Sequence, residues 1–216
     1  MNPALSQDPY PIGESSEIRF PFLKKQIFDF VFAILVLVFL FSWLLPIIAL
    51  LIKLSSKGPV FFKQLRTGKD GKPFWCLKFR SMTINAGSDT VQARKGDARV
   101  TKIGNFLRKS SLDELPQFLN VLKGEMSVVG PRPHMLHHTE LYSQTIYNFM
   151  DRHKVMPGIT GLAQVSGHRG EIKEVDSMVK RVEADIEYIQ NQSLQLDLKI
   201  VLKTVRQACL GHENAY

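Results

Sequence analysis

The longest apolar stretch of the chain lies near its N-terminus. Between Lys25 and Lys53 lie 27 residues, and four of them are clearly not apolar: Gln26, Asp29, Ser42 and Pro46. At 1.5 Å per residue, a helix of this length is roughly 40 Å long and exceeds the roughly 30 Å hydrocarbon core of a bilayer. The pattern therefore predicts a membrane helix over residues 23–54, preceded by an N-terminal tail over residues 1–22.

The topology of this helix is a separate question, because basic residues flank it on both sides. They are Arg19, Lys24 and Lys25 before the apolar run and Lys53, Lys57, Lys63 and Arg66 after it. The positive-inside rule places both flanks in the cytoplasm, which favours a re-entrant helix. Pro46 has no N–H for the Ser42 carbonyl, so these two residues are the candidate helix break, with the Ser42 hydroxyl satisfying freed backbone groups. A kinked helix that spans the bilayer explains the same residues equally well.

Two further patterns predict the structure after the apolar run. Aromatic-rich segments at residues 60–62 and 74–79 surround a glycine-rich connector, which is typical of a β-hairpin or a pair of short strands. Near the C-terminus, apolar residues recur at helical spacing and predict two amphipathic helices. The first stripe comprises Ile172, Val175, Met178, Val179, Val182, Ile186 and Ile189, and the second Leu194, Leu198, Val201, Leu202, Val205 and Cys209. Such stripes usually pack in a core, although beside a membrane anchor they can lie on the bilayer surface.

These elements together predict an α+β fold that is mainly helical. It contains one short β-hairpin, one N-terminal membrane helix and amphipathic surface helices. A length of 216 residues fits one domain plus an anchor and excludes a large multidomain enzyme.

The charge distribution adds a candidate binding surface. The chain carries a net charge of +8, and residues 53–110 hold 14 basic and 3 acidic residues, so the whole surplus lies there. Such a segment attracts phosphates, nucleic acid or anionic lipid headgroups, although it can also be a solvated loop surface. The two cysteines, Cys76 and Cys209, are far apart, which argues against a disulfide scaffold and favours a reducing compartment.

The densest group of polar residues is Arg108-Lys109-Ser110-Ser111-Leu112-Asp113-Glu114. One interpretation is structural, because Ser111-x-x-Glu114 fits a capping box at the start of a helix. The other is chemical. A first helical turn and the neighbouring Arg108 and Lys109 would favour the ionised form of Asp113. An ionised carboxylate beside cations can hold a divalent metal or attack an electrophilic phosphorus.

Two segments rich in glycine and proline follow, at residues 130–133 and 157–167. Rigid turns that hold an arginine, and glycines that expose backbone N–H groups, suit a phosphate cradle, but each segment alone is more often a tight turn. Three histidines nearby have the spacing of metal ligands: His134, His137 and His138. No acidic or cysteine partner completes that set, so we interpret them as surface or packing residues.

Many ordered motifs resemble the bacterial sugar transferase family, the monotopic polyprenyl-phosphate phosphoglycosyl transferases. The resemblance extends from about residue 20 to the C-terminus. Its motifs are Asp29, Ile52-Lys53-Leu54, Gly58-Pro59-Val60-Phe61-Phe62, Lys78-Phe79-Arg80-Ser81-Met82, Ser111-Leu112-Asp113-Glu114-Leu115-Pro116-Gln117, Asn120-Val121-Leu122-Lys123-Gly124-Glu125-Met126-Ser127, Gly130-Pro131-Arg132-Pro133, Arg152-His153-Lys154-Val155 and Pro157-Gly158-Ile159-Thr160-Gly161. Gly167-His168-Arg169-Gly170-Glu171 and Asn214-Ala215-Tyr216 are more similar to undecaprenyl-phosphate glucose phosphotransferases.

The resemblance implies an enzyme that moves a sugar 1-phosphate from a UDP-sugar, glucose or galactose, to undecaprenyl phosphate and releases UMP. It implies Asp113 as the nucleophile of an aspartyl-phosphosugar intermediate, Glu114 as its acidic partner, and Mg²⁺ on both. The candidate phosphate-binding residues are Lys78, Arg80, Arg108, Arg132 and Arg169. Residues 55–216 would be a catalytic domain on the cytoplasmic face of the bacterial inner membrane, with a re-entrant anchor. One departure is Ser42-Trp43 where close relatives have Ser-Pro.

Two other functions remain open from the sequence. A membrane-anchored basic protein could recruit nucleic acid or anionic lipid through residues 53–110, but it gives no role to the acidic pair. A membrane hydrolase of UDP-sugars would share the same site. With the transferase, we expect membrane lipid and no nucleic acid as partners, and a homodimer stays open.

Overall fold

The computed structural model describes residues 22–84, 96–168, 170 and 175–210. Its helices are α1 (Phe22–Val36), α2 (Ser42–Ser55), α3 (Lys102–Lys109), α4 (Gln117–Leu122), α5 (Leu136–Thr145), α6 (Leu162–Val165), α7 (Val175–Gln190) and α8 (Leu194–Leu210). Its strands are β1 (Phe61–Thr67), β2 (Pro73–Phe79), β3 (Ser127–Val129) and β4 (Gly158–Thr160). The prediction of a mainly helical fold with a short antiparallel hairpin is confirmed. The tail predicted over residues 1–22 lies outside the described residues except for Phe22, which begins α1.

The predicted membrane helix is one helical run over residues 22–55, called the apolar helix below. By length and composition Leu23–Ser55 is able to cross a membrane, and an 18-residue window within it has a mean hydropathy of 2.9. The candidate break takes the form of a π-helical segment, Leu37–Phe41, because Pro46 inside α2 cannot donate a backbone hydrogen bond. Two side chains add hydrogen bonds to carbonyls of that segment. The Ser42 hydroxyl donates to Val38 at 2.6 Å and the Trp43 indole N–H to Phe39 at 2.9 Å.

The beginning of the apolar helix is fixed to the rest of the molecule by buried charges. Lys25 Nζ lies 3.0 Å from Asp29 Oδ1 and 2.9 Å from Asp197 Oδ2 of α8. Asp29 also accepts a hydrogen bond from the backbone N–H of Val128 in β3, and the Tyr188 hydroxyl of α7 donates to Asp197. A buried charge is tolerated only when it is paired in this way, so these contacts define where α1 sits.

The middle and the end of the apolar helix contact the same domain. Phe41 is buried and stacks on Phe79 of β2, with 5.8 Å between ring centroids. At the C-terminal end, the Arg80 guanidinium donates hydrogen bonds to the carbonyls of Ile52, Ser56 and Lys57. The last carbonyls of a helix lack partners within the helix, so Arg80 supplies them and also joins α2 to β2.

The hairpin positions one cationic side chain that matters later. Strands β1 and β2 pair antiparallel from Phe61 opposite Phe79 to Thr67 opposite Pro73. Because side chains alternate between the two faces of a strand, one face carries Gln64, Arg66, Cys76 and Lys78. This face turns toward the domain interior, where Gln64 and Cys76 are buried.

A second pair of strands was not predicted. Strands β3 and β4 are parallel, with Ser127 opposite Gly158 and Val129 opposite Thr160. A Cβ on Gly158 would lie 2.1 Å from the backbone N of Gly130, so the close approach of these segments requires glycine. The amide of Gly130 donates to Thr160 and that of Gly158 to Pro131. The phosphate-cradle interpretation is therefore wrong for these two amides, since strand pairing already uses them.

Both amphipathic helices are confirmed as α7 and α8, but their stripes face different surroundings. In α7, Met178 and Val182 are fully buried. In α8, four residues of the predicted stripe are 39–69% exposed: Leu194, Leu198, Leu202 and Val205. From Met178 to Ile189 the α7 stripe packs inward, whereas Val175 is 47% exposed and Ile172 lies outside the described residues. Helix α8 packs through another face that includes Ile200 and leaves most of its stripe exposed.

Helix α3 packs very closely on the segment that follows β2. The Thr101 hydroxyl caps its N-terminus by accepting from the Gly104 amide at 2.9 Å. A Cβ built on Gly104 would lie 1.8 Å from the Ser81 carbonyl oxygen. Only glycine at this position allows α3 to lie where Arg108 reaches the Ser81 hydroxyl, at 2.9 Å.

We therefore expect Gly104→Ala to destabilise the protein by about 1–3 kcal/mol, as overpacking of a tight contact does. The measurement is thermal unfolding of the detergent-solubilised protein. Asn105→Ala is the matched control, because Asn105 is exposed on the same helix. Removing side-chain atoms there cannot overpack a contact. Equal stability of the Gly104→Ala variant and the control would contradict the packing described here.

Candidate active site

The acidic pair, Asp113 and Glu114, lies between two helices. Helix α3 ends at Lys109, Ser111 takes a left-handed conformation with φ 58°, and a 3₁₀ turn follows over Leu112–Glu114. Helix α4 begins only at Gln117. The Ser111 side chain makes no capping hydrogen bond, so the capping-box interpretation is wrong. Instead, the turn directs both carboxylates into the domain, where Asp113 is 7% and Glu114 6% exposed.

Glu114 is held by two cations from distant parts of the chain. Lys78 Nζ of β2 lies 2.8 Å from Glu114 Oε1. The Arg132 guanidinium donates to both oxygens, at 2.6 Å from Nη2 to Oε1 and 3.3 Å from Nη1 to Oε2. The charge of Glu114 raises the pKa of Arg132 against the opposing effect of burial, so this arginine stays charged. Such charge-assisted bonds fix direction as well as distance.

Asp113 differs from its neighbour because its carboxylate accepts no hydrogen bond from the described residues. Burial raises the pKa of Asp113, and the nearby Glu114 charge acts in the same direction. Lys78, Arg108 and Arg132 lower this pKa but do not outweigh burial. The sequence predicted that neighbouring charges favour the ionised form, and Arg108 does act in that direction, but burial, which the motif does not reveal, raises the pKa of Asp113 overall.

Three of the predicted phosphate-binding residues therefore surround the acids: Lys78, Arg108 and Arg132. Arg108 is held by its Nε bond to the Ser81 hydroxyl and by a 3.3 Å contact from Nη2 to the Met82 sulfur. A buried carboxylate that accepts no hydrogen bond from the described residues and lies beside three cations is an arrangement that can bind phosphate groups and attack one of them.

The other two predicted phosphate-binding residues are not part of this cluster. The hydrogen bonds of the Arg80 guanidinium go to the end of α2, where they complete the helix. Burial lowers the pKa of Arg80 because it removes water from the guanidinium. This desolvation is consistent with a role in holding the end of α2 rather than in binding substrate. Arg169 lies outside the described residues.

Sequence reasoning missed the residues that hold the turn over residues 130–135, called the proline turn below. Arg66 Nη1 donates to the Pro133 carbonyl at 2.7 Å, and Arg152 Nη2 donates to the Arg132 carbonyl at 2.9 Å. Alternation along β1 places Arg66 on the same face as Lys78, so the hairpin register would have revealed it. Arg152 was part of the motif Arg152-His153-Lys154-Val155, but the motif gave it no role, because its partners are distant in sequence.

Asn120 is a second residue that the sequence left without a role. It is fully buried, and its side-chain oxygen accepts from the Leu77 amide at 3.0 Å. Its side-chain nitrogen donates to the Trp75 carbonyl and to Glu125. Asn120 thereby fixes α4 to the edge of β2 next to Lys78. The sequence signal that could have identified Asn120 is its place in the motif Asn120-Val121-Leu122-Lys123-Gly124-Glu125.

His134, His137 and His138 are not part of a metal centre among the described residues. His134 is buried, and burial with the adjacent Arg152 keeps its pKa well below its usual value. His137 and His138 lie on α5. Within the described ranges, no three His, Cys, Asp or Glu side chains are grouped so that they could hold a metal ion. The acidic pair is therefore the carboxylate set to consider for a hard cation.

Comparisons with known proteins agree with the resemblance of the motifs. The family model of the bacterial sugar transferases matches residues 20–211. A UDP-glucose:undecaprenyl-phosphate glucose-1-phosphate transferase of Escherichia coli (strain K12) is 56% identical over 184 residues, which are 85% of this chain and 39% of that protein. The enzyme of the same name from Caulobacter vibrioides is 51% identical over 195 residues, or 90% of this chain and 72% of that protein.

Relatives in this group differ in the sugar they are named for. A UDP-N-acetylgalactosamine-undecaprenyl-phosphate N-acetylgalactosaminephosphotransferase of Aeromonas hydrophila is 47% identical over 173 residues, 80% of this chain and 40% of that protein. The chain spans about two fifths of the length of the Escherichia coli and Aeromonas proteins. The family match nevertheless covers nearly all of this chain, which therefore belongs to the bacterial sugar transferase family.

Proposed function

We propose that this protein is a phosphoglycosyl transferase that moves glucose 1-phosphate from UDP-glucose to undecaprenyl phosphate. The products are undecaprenyl-diphosphate-glucose and UMP, and the reaction is the first membrane step of exopolysaccharide, capsule or O-antigen synthesis. The observation that carries the proposal is the buried Asp113 carboxylate, free of hydrogen bonds from described residues and surrounded by three cations. The names of relatives with 51% and 56% identity support glucose over other sugars.

The reaction proceeds in two displacements at phosphorus. Asp113 attacks the phosphorus that carries the sugar, an oxygen–phosphorus bond forms, and the bond to the bridging oxygen breaks so that UMP leaves. A phosphate oxygen of undecaprenyl phosphate then attacks the aspartyl-phosphosugar and regenerates the carboxylate. Lys78, Arg108 and Arg132 neutralise the charge on the phosphates, which otherwise repels an anionic nucleophile. Only ionised Asp113 attacks, and burial leaves that ionised form poorly hydrated.

Magnesium fits the chemistry of this site. Carboxylate oxygens suit a hard cation, and Mg²⁺ usually binds one or two carboxylates together with substrate phosphates. Asp113 and Glu114 would hold it. The Asp113 oxygens accept no hydrogen bond from the described residues, whereas those of Glu114 already accept from Lys78 and Arg132. When bound, the ion supplies further charge neutralisation on the diphosphate.

The contacts of the apolar helix support a re-entrant, monotopic anchor. Its start is bound through Lys25 to Asp197, its middle through Phe41 to Phe79, and its end through Arg80 to the last carbonyls of α2. The ends of a spanning helix are separated by the roughly 30 Å hydrocarbon core and cannot both contact one domain on one side. With basic flanks at both ends, this domain belongs on the cytoplasmic face of the inner membrane.

The exposed apolar faces agree with a lipid environment. Along the apolar helix, the exposed large apolar side chains include Phe30, Phe39, Leu50 and Leu54, which are 52–77% exposed. The exposed stripe of α8 forms a second apolar face. Of the two predicted amphipathic helices, α8 is therefore the one that would lie on the bilayer surface.

Replacing the nucleophile gives the first test of the proposed function. We expect Asp113→Asn to abolish UMP release and the covalent adduct, because an amide is a poor nucleophile even when geometry is kept. Asp70→Asn is the matched control, since Asp70 lies exposed in the hairpin turn with φ 54°, a conformation asparagine tolerates. Turnover of Asp113→Asn above about a thousandth of wild type would argue strongly against this role.

The same assay separates the transferase from a hydrolase and from a binding protein. With labelled UDP-glucose and no lipid acceptor, the transferase stops at one labelled adduct per site, and undecaprenyl phosphate then removes the label into lipid. A hydrolase releases UMP repeatedly without acceptor. A basic binding protein forms no adduct at all.

Metal removal is the second test. Chelation by EDTA should abolish activity and added Mg²⁺ should restore it, since the phosphates need charge screening beyond that of the three cations. Thermal unfolding measured in parallel should change little, because the folded site is already held by Lys78 and Arg132 on Glu114. Full activity in EDTA would show that the site works without a metal.

Topology is the third test. In a background with Cys76→Ala and Cys209→Ala, single cysteines replace Pro11 or Lys57, one on each side of the apolar helix. We expect a membrane-impermeant thiol reagent to label both positions only from the cytoplasmic side. Labelling of the two positions from opposite faces would mean that the helix spans the bilayer.

A further inference from the structure

Arg152 is the largest fully buried side chain among the described residues, and it carries a charge. It lies in the 3₁₀ turn Phe149–Lys154 and contacts two separate parts of the fold. Its Nη2 donates to Asp185 Oδ2 of α7 at 2.5 Å and to the Arg132 carbonyl at 2.9 Å. Its Nη1 donates to the His134 ring at 2.7 Å. One guanidinium therefore joins α7 to two residues of the proline turn.

The proline turn depends on such external donors. Pro131 and Pro133 have no N–H, so the turn has few backbone donors of its own to hold its shape. Three consecutive carbonyls are instead held from outside: Arg132 by Arg152, Pro133 by Arg66 and His134 by the amide of Thr67. The first of these bonds is made at the residue whose side chain binds Glu114.

Resting on the proposed function, we infer that Arg152 is a positioning residue that aims Arg132 at Glu114 and at the substrate phosphates. Its bond to the Arg132 carbonyl fixes the peptide plane directly after the Arg132 Cα, and with it the direction of the side chain. The bidentate contact of Arg132 with Glu114 demands that direction, because a planar guanidinium fork meets a carboxylate in few orientations.

The chemistry of the contacts argues for more than stability. A buried ion pair such as Arg152 with Asp185 contributes little net stability compared with apolar residues of the same size. An ion pair with Asp185 alone would also not require the branched guanidinium of an arginine. Arg152 uses its fork to reach Asp185, the Arg132 carbonyl and the His134 ring together, which a lysine ammonium on a flexible chain does not do.

The test is a double-mutant cycle on the full-length, detergent-solubilised protein, with UMP release as the assay. Arg152→Lys keeps the charge opposite Asp185 and loses the fork, and we expect kcat/KM to fall about tenfold. The fall in kcat/KM of Arg152→Lys should be divided between a lower kcat and a higher KM in the same proportion as the fall caused by Arg132→Ala. In the Arg132→Ala background, Arg152→Lys should change kcat/KM by less than about twofold, because Arg152 acts only through Arg132.

Two further variants keep the test independent of folding. Lys154→Gln is the neighbouring control, because Lys154 is solvent exposed and pairs only with Asp151 among the described residues, and its activity should equal wild type. Arg152→Met with Asp185→Leu removes the buried pair without leaving a lone charge. We expect this double variant to unfold close to the wild-type temperature. Its loss of kcat/KM should likewise be present with Arg132 and nearly absent in the Arg132→Ala background.

The outcomes distinguish this inference from the proposed function. A second tenfold loss in the Arg132→Ala background, or loss of folding in both Arg152 variants, would overturn the inference and make Arg152 a structural residue. The proposed function would stand in that case as long as Asp113→Asn is inactive and Asp70→Asn is active. Wild-type activity of Arg132→Ala would overturn the inference as well, since nothing would remain for Arg152 to position.

Discussion

The ion pairs of Glu114 with Lys78 and Arg132 hold the site together. Lys78 comes from β2, Glu114 from the turn between α3 and α4, and Arg132 from the proline turn. A buried carboxylate left without its cations would be strongly destabilising, typically by 3–5 kcal/mol when a partner of a buried pair is removed. The three segments are therefore required to converge, and the neighbouring Asp113 is carried into its place by that convergence.

Adjacent positions in one turn give the two acids different properties. Glu114 is committed to cations and acts as an anchor, whereas Asp113 is buried beside the same cations without a hydrogen bond from the described residues. Two neighbouring carboxylates with opposite environments are the usual way in which a protein assigns two chemical roles. Under the proposed function, the free carboxylate is the nucleophile and the committed one keeps the cations in position.

Local periodicity accounts for what the sequence predicted. The apolar run and the stripes of α7 and α8 extend over many residues, and the hairpin was marked by two aromatic-rich segments around a glycine-rich connector, so each was recognisable alone. Strands β3 and β4 are three residues long and pair across about thirty residues of sequence, and no local signal reveals them. The role of Arg80 at the end of α2 was missed for the same reason. Asp113 and Glu114 were identified from their motif, but the net effect of burial on Asp113 depends on tertiary packing.

Three consecutive residues connect the site to the apolar helix. Lys78 pairs with Glu114, Phe79 stacks on Phe41 from the opposite face of β2, and Arg80 binds the last carbonyls of α2. Alternation along one strand thus directs the Lys78 cation inward and an aromatic ring against the helix, and the next residue fixes the end of that helix. Under the proposed function and anchor, the helix position sets the depth of the domain at the bilayer, so the same strand also sets the height of Lys78 above the lipid. The phosphate of the proposed lipid acceptor is confined to the headgroup layer, so a site built this way would meet it at a constant distance from the membrane.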